Sequence, residues 1–168
     1  LTPFSRLMIH AIYPGSFDPI HNGHLDIIER ASTLFDQVTV AVLHNSLKEK
    51  GLFNIVERLD IIASSVQSWP NVNAEKFEGL LVNYAERIGA NVIIKGLRTT
   101  IDFEHEIEMA HMNRMMYPKA ETLLMMTDFK WSHLSSSRIR ELASFQADVS
   151  VLVPGASLAA LRRKFSSN

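Results

Sequence analysis

The chain has no cysteine. Disulfide staples, thiolate nucleophiles and cysteine-ligated zinc are therefore all excluded. No apolar run approaches the roughly 20 residues that a membrane-spanning helix needs. Leu1 to Arg6 carries no apolar signal core and reads as a tail outside the fold. A cytoplasmic protein is the expectation, with no membrane partner. The chain also lacks a charge excess, with 17 Lys and Arg against 18 Asp and Glu. That argues against a nucleic-acid binder relying on a broad basic face, though not against a small basic pocket. Repeats, low-complexity segments and linkers are missing too, so one domain over residues 1–168 is expected. What is present, 46% hydrophobic and 21% charged residues, is ordinary for a globular protein with a real core.

The informative stretch is YPGSFDPIHNGH, residues 13–24. An apolar run, Leu7 to Tyr13, leads into it and reads as a strand. An amphipathic run leads out and predicts a helix from Gly23 to Phe35. Two prolines and two glycines keep either element from running through the loop. A strand–loop–helix start gathers backbone N–H groups and the positive end of a helix dipole, which suits a phosphate. His21 and His24 stand at that start and could add donors and positive charge. The plainer alternative is that one caps the helix and the other is exposed.

Further strands are expected at Gln37 to Leu43, Val72 to Phe77, Asn91 to Lys95 and Thr122 to Met126. Helices are expected at Ile55 to Ser68, Leu80 to Ile88, Asp102 to Met116, Ser136 to Phe145 and Gly155 to Phe165. Asn54 and Glu57 fit a capping box for the second helix, and Gly89 a stop for the third. His44 to Phe53 and Thr127 to Leu134 read as loops. Regular alternation implies right-handed βαβ units: a Rossmann-like α/β fold, an open parallel five-stranded sheet with helices on both faces. Ligands of such sheets bind beyond the carboxyl ends of the strands, where strand order reverses. Ser16 to His24, Lys48, Leu80 and Leu81, Gly96 to Arg98 and Trp131 to Ser137 each follow a strand, which points to a single site.

Each cluster also has a bland reading. Lys95-Gly96-Leu97-Arg98 ends a buried strand with a point charge, a glycine and a guanidinium fork, suited to phosphate; it could equally be a solvated rim. Ser135, Ser136 and Ser137 with Arg138 could hold a triphosphate, or simply cap a helix. The acids of Asp102 to Glu106 fit the first turn of a helix. The methionines 109, 112, 115 and 116 fit core or subunit contact.

The loop GSFDPIHNGH resembles the H/T-x-G-H signature of the nucleotidyltransferase superfamily, here His21-Asn22-Gly23-His24. SSSRIR, residues 135–140, resembles its second signature. Together with IIKGLR, DFEHEIEMAHMNR and WSHLSSSRIRE, the chain from about Ile9 to Leu161 is similar to the bacterial phosphopantetheine adenylyltransferases. The resemblance implies transfer of AMP from ATP to 4′-phosphopantetheine, giving dephospho-coenzyme A and pyrophosphate, the penultimate step of coenzyme A synthesis. It implies magnesium bound mainly through the ATP phosphates with no protein ligand, a homohexamer, and feedback inhibition by coenzyme A.

Residue by residue, it implies that His24 stabilises the transition state, with Lys48 and Arg98 orienting the anionic partners. The acceptor would be held by Ser16, Lys48, Leu81, Lys95 and Asn113. ATP would be held by Ser16, Phe17, His24, Gly96, Leu97, Arg98 and Glu106. The run Trp131, Ser132, His133, Leu134, Ser135, Ser136 and Ser137 would also line ATP. Three positions depart from the commonest pattern: His21 stands for Thr, Lys95 for Arg and His105 for Tyr. Lys95 keeps the charge and loses the fork. Two other readings are the same chemistry on another acceptor, such as a nicotinamide nucleotide or a phosphorylated alcohol, and a non-catalytic nucleotide sensor. The DFEHE and HMNR segments weigh against the first, and His24 with the serines against the second.

Overall fold

A computed structural model describes residues 7–45 and 51–166. Lys48 and the tail Leu1 to Arg6 lie outside the described residues.

The β-branched runs form five strands: β1 (His10–Gly15), β2 (Gln37–Leu43), β3 (Val72–Phe77), β4 (Val92–Leu97) and β5 (Glu121–Met126). All neighbours pair in parallel, in the order β3-β2-β1-β4-β5. The chain winds outward from β1 to β3, then returns to the other side of β1 for β4. The switch point therefore lies between β1 and β4. Pairing there is recorded only at Ala11 with Val92 and Ile12 with Ile93, so the two strands part early and leave a crevice. β1 begins and ends later than expected. Leu7 and Met8 are apolar but exposed, and register with β2 starts at His10 opposite Gln37. Pro14 does not end the strand, because past Ile12 the β4 flank is already open and a missing N–H costs little.

The helices are α1 (Asn22–Leu34), α2 (Ile55–Ser65), α3 (Leu81–Ile88), α4 (Thr100–Met116), α5 (Ser136–Ser144) and α6 (Gly155–Phe165). The expected Asn54–Glu57 capping box closes α2, and Gly89, at φ 68°, ends α3 in the left-handed conformation that glycine tolerates. α4 starts two residues early because Thr99 and Asp102 form a further capping box. A single 3₁₀ turn, Phe129–Trp131, occupies part of the expected loop after β5.

Period-two alternation splits the core. Ala11, Tyr13, Val38, Val40, Val42, Val92 and Ile94 face one side, with buried residues of α1, α2, α5 and α6. Ile12, Ala41 and Ile93 face the other, with α3 and with Tyr117 and Ala120 after α4. α4 itself has no buried residue. Met109, Met112, Met115 and Met116 are all more than half exposed, so they are not core.

The loop after β1 is braced by one carboxylate. Asp18 is 5% exposed. Its Oδ2 accepts from Leu52 N and its Oδ1 from Phe53 N, each at 2.9 Å. Arg58 Nε lies 3.6 Å from Oδ1 and Arg140 Nη1 3.5 Å from Oδ2. Arg140 also donates to the Asp18 carbonyl, Arg58 to the Ser16 carbonyl, Ser136 to that of Pro19 and Ser157 to that of Ile20. Phe17, a non-glycine residue at φ 46°, sits in this braced turn. Removing the carboxylate leaves two buried N–H groups and two guanidinium groups without their partner. Asp18→Ala is therefore expected to lower the unfolding free energy by about 3–5 kcal/mol. Urea melts of the variant and the parent chain check this, and a loss under about 1 kcal/mol contradicts the bracing role.

Candidate active site

A cleft of about 280 Å³ opens at the carboxyl end of the sheet, over the gap between β1 and β4. Tyr13 and Pro14 come from β1, and His21, Gly23 and His24 from the start of α1. Lys95, Gly96 and Arg98 come from the end of β4, and Glu106 from α4. Thr127, Trp131, Ser135 and Ser136 come from the segment between β5 and α5.

The two histidines are locked into each other. His21 is the N-cap of α1, and its Nδ1 accepts from Gly23 N at 3.1 Å and His24 N at 3.3 Å. His24 Nδ1 in turn accepts from His21 N at 3.2 Å. The rings stack with centroids 3.6 Å apart and planes 21° apart. Gly23 is glycine for a local reason: a Cβ there would lie 3.0 Å from His21 Cε1. Because each Nδ1 is an acceptor, each neutral ring carries its proton on Nε2. Burial pushes His21 down to about 4, with the Arg98 charge adding to it. Burial, then His21, then Arg98 hold His24 well below the usual imidazole range. The pair is neutral at pH 7, so it supplies directed donors rather than the positive charge expected from sequence. The N–H groups of Gly23 and His24 are also spent on the cap. Hydrogen bonding to a phosphate at this helix start thus falls to side chains.

The cations stand opposite, each facing an acid of α4. Lys95 Nζ lies 3.3 Å from Glu106 Oε2, and Arg98 Nε lies 3.3 Å from Asp102 Oδ2. Arg98 Nη1 also donates to the Leu134 carbonyl at 2.6 Å. Gly96 gives β4 room to pass Tyr13, whose hydroxyl would lie 3.3 Å from a Cβ. At the start of α5, Ser135 Oγ accepts from Arg138 N and Ser136 Oγ donates to the Pro19 carbonyl. All three serines therefore have structural partners, since the hydroxyl of the exposed Ser137 lies 3.3 Å from that of Ser135. Among the described residues no group of three or more His, Asp or Glu side chains could hold a metal ion.

Of the residues expected at the site, the cleft gathers His24, Lys95, Gly96, Arg98, Glu106, Trp131, Ser135 and Ser136. Ser16 lines a neighbouring cleft of about 350 Å³ with Leu43, His44, Phe53 and Arg58. Phe17 is buried, its ring edge-on to His24 at 4.9 Å, so its side chain backs the histidine rather than facing the cleft. Leu134 is buried as well. Leu97 borders an apolar hollow with Phe103 and Met126. Leu81 opens α3, Asn113 sits half-buried on α4, and Ser132 and His133 lie on the turn before α5, all off the cleft lining. Sequence reasoning missed Tyr13, Pro14 and Thr127 as lining residues, and Asp18, Arg58 and Arg140 as the brace. An acid between Phe17 and Pro19, in an otherwise apolar run, was the available signal.

The cleft at the switch point of a parallel sheet, with a donor histidine and paired cations, belongs to the nucleotidyltransferase class. A family model described as cytidylyltransferase-like matches residues 12–142, and the chain belongs to that family. Within it, the chain is 45% identical over 159 residues to a phosphopantetheine adenylyltransferase of Deinococcus radiodurans, covering 94% of this chain and 95% of that one. It is 49% identical over 153 residues to the phosphopantetheine adenylyltransferase of Alkaliphilus metalliredigens, covering 91% and 97%. The chain is thus a member of the phosphopantetheine adenylyltransferase group. A Vibrio parahaemolyticus structure assigned as a nicotinate-nucleotide adenylyltransferase superposes with a TM-score of 0.71 over 95% of each chain. At 17% identity that likeness concerns the fold alone.

The buried histidines make stability pH-dependent. Unfolded His21 takes up a proton near 6.5, folded His21 only near 4. The unfolded state therefore binds more protons between these values, and acid destabilises the fold. Stability is full above about pH 6.5, and on descent to pH 4 His21 alone costs on the order of 3 kcal/mol. His21→Thr keeps a capping oxygen but removes the titration. The stability of the parent chain relative to the variant, from urea melts between pH 7 and pH 4, is expected to fall as pH falls. A constant difference contradicts the neutral assignment.

Proposed function

We propose that this chain transfers the adenylyl group of ATP to 4′-phosphopantetheine, giving dephospho-coenzyme A and pyrophosphate by direct in-line attack. The observation that carries this reading is a single cleft lined by His24, Lys95, Arg98 and the start of α5. An oxygen of the acceptor phosphate attacks the α-phosphorus. That P–O bond forms as the bond to the β-phosphate bridging oxygen breaks, and pyrophosphate leaves with the electron pair. No covalent enzyme intermediate is needed, and the chain has no cysteine to form one. The protein's part is positioning and cancellation of charge.

His24 Nε2–H donates to a non-bridging oxygen of the α-phosphate, where charge crowds in the transition state. A neutral imidazole keeps this bond a pure donation, with no proton to lose. Arg98, held on Leu134 and Asp102, presents its remaining N–H groups to the nucleotide. Lys95 and Lys48 take the acceptor phosphate, with Ser16, Leu81 and Asn113 along the acceptor. Phe17, Gly96, Leu97, Glu106 and the Trp131 to Ser137 segment border ATP. The departing pyrophosphate lies toward the start of α5. Magnesium would be held mainly by the ATP phosphates and would offset their charge. The donor set fits that division, since Glu106, the cleft's carboxylate, already faces Lys95.

We further infer a homohexamer, coenzyme A as a feedback inhibitor of the same cleft, and a cytoplasmic enzyme. No helix of the described residues is long and apolar enough to cross a membrane. The apolar side chains that α4 leaves exposed, including Ile101, Met112 and Met115, support self-association.

Pyrophosphate release from ATP and magnesium is the test, with phosphopantetheine, nicotinamide mononucleotide and glycerol phosphate as separate acceptors. Release with phosphopantetheine alone is expected, and release only with another acceptor contradicts the assignment. His24→Ala is expected to lower kcat by about 10²–10³-fold, the usual effect of one transition-state donor, with ATP affinity little changed. Unchanged turnover would sink the role given to His24.

A further inference from the structure

The two ion pairs between β4 and α4 look alike but are not equally satisfied. Asp102 is well satisfied at one oxygen: its Oδ2 accepts from Arg98 N, Arg98 Nε and Thr99 N, and the residue forms the capping box of α4. Arg98 is anchored a second time on the Leu134 carbonyl. Glu106, one turn further along α4, differs. Its Oε2 is buried and makes no hydrogen bond. Lys95 Nζ lies 3.3 Å away, off the direction of a hydrogen bond, so the oxygen has an ionic neighbour and no directed donor. Both side chains are largely shielded, with 28% and 22% exposure, so their attraction is only partly screened by water. Both also line the cleft.

A carboxylate in this state accepts donors and repels phosphate. ATP offers it donors on the nucleoside half, a ribose hydroxyl or the adenine amine, whereas the acceptor's phosphate offers it none. Lys95 has the opposite preference, since its ammonium gains from an anionic acceptor. Each substrate therefore satisfies one member of the pair and needs the other member released.

We propose that the Lys95–Glu106 pair is an exchangeable internal counter-ion that couples the two binding events. Without nucleotide, Glu106 holds Lys95 and lowers its attraction for the acceptor phosphate. When a nucleoside donor takes Glu106 Oε2, Lys95 is released toward the acceptor. Coupling of this kind is reciprocal, so the acceptor tightens ATP binding by the same factor. Glu106 acts here through Lys95 and is a positioning residue for the acceptor. Asp102, whose Oδ2 is already held by three donors, has no such role.

The inference rests on the adenylyltransferase reading, and one set of experiments separates the two. The affinity of phosphopantetheine is measured by calorimetry on the full chain, alone and with magnesium and a non-hydrolysable α,β-methylene analogue of ATP. In the parent chain the analogue is expected to tighten the acceptor by about tenfold, within the usual range of such couplings. Glu106→Gln, of the same shape without the charge, is expected to bind the acceptor alone several-fold more tightly than the parent chain. Its analogue effect is expected to fall to near unity, while its affinity for the analogue weakens. Glu106→Ala gives the same pattern through simple removal, and Lys95→Met gives an acceptor affinity that the analogue does not change. Pyrophosphate release by the parent chain, with unchanged acceptor affinity in Glu106→Gln, overturns the coupling and leaves the enzyme assignment standing. Failure of the parent chain to bind phosphopantetheine or to release pyrophosphate overturns both.

Discussion

The Asp18 carboxylate is the constraint on which the site depends. It lies in the loop between β1 and α1 and reaches backbone N–H groups 34 and 35 residues away. Two guanidinium groups, from α2 and α5, close around it. A buried carboxylate is costly unless its lone pairs and charge are both met. Here they are, and the cost of an open loop is avoided at the same time. The carbonyls of Ser16, Asp18, Pro19 and Ile20 are each taken by a side chain from α2, α5 or α6. The loop is thereby fixed along its length, and α1 starts from a rigid support.

That support makes a neutral histidine pair workable. His21 caps α1 and presses its ring on His24, while Phe17 packs edge-on from behind. Burial and the nearby Arg98 both oppose protonation of either ring. The result is a neutral Nε2–H on each ring, at a helix start that lines the cleft over the gap between β1 and β4. Positive charge is delivered separately, from the end of β4, and is held in check by α4. Dividing donor from cation lets the donor stay rigid while the cations adjust to what is bound.

Much of the fold was readable in the residues, for physical reasons. QVTVAVL has no interruption, so β2 falls where expected, and the same holds for β3 and α6. β1 was displaced because Leu7 and Met8 are apolar without being paired, and because Pro14 breaks a strand only where both flanks are filled. The turn Phe129–Trp131 carries too few residues for any period. At the site, Lys95 and Arg98 were readable because they mark the end of a buried strand, and His24 because it stands at a strand–loop–helix start. The neutrality of the histidines was not, since it comes from burial and from a cation 74 residues beyond His24 in number but beside it in space. The brace on Asp18 was hidden for a similar reason: its donors are main-chain groups, which no side-chain pattern reveals. The exposed methionines of α4 were readable as a group, but whether they faced core or surface was a matter for the packing.

The central claim is that His24 reaches the phosphate as a neutral ring with its proton on Nε2. Long-range proton–nitrogen correlation spectra of the uniformly nitrogen-15-labelled chain at pH 7, assigned with His24→Gln and His21→Thr, test it directly. The account predicts an unprotonated Nδ1 and a protonated Nε2 for both histidines, unchanged as the pH falls to about 5. An imidazolium at pH 7, or a proton on His24 Nδ1, would contradict it.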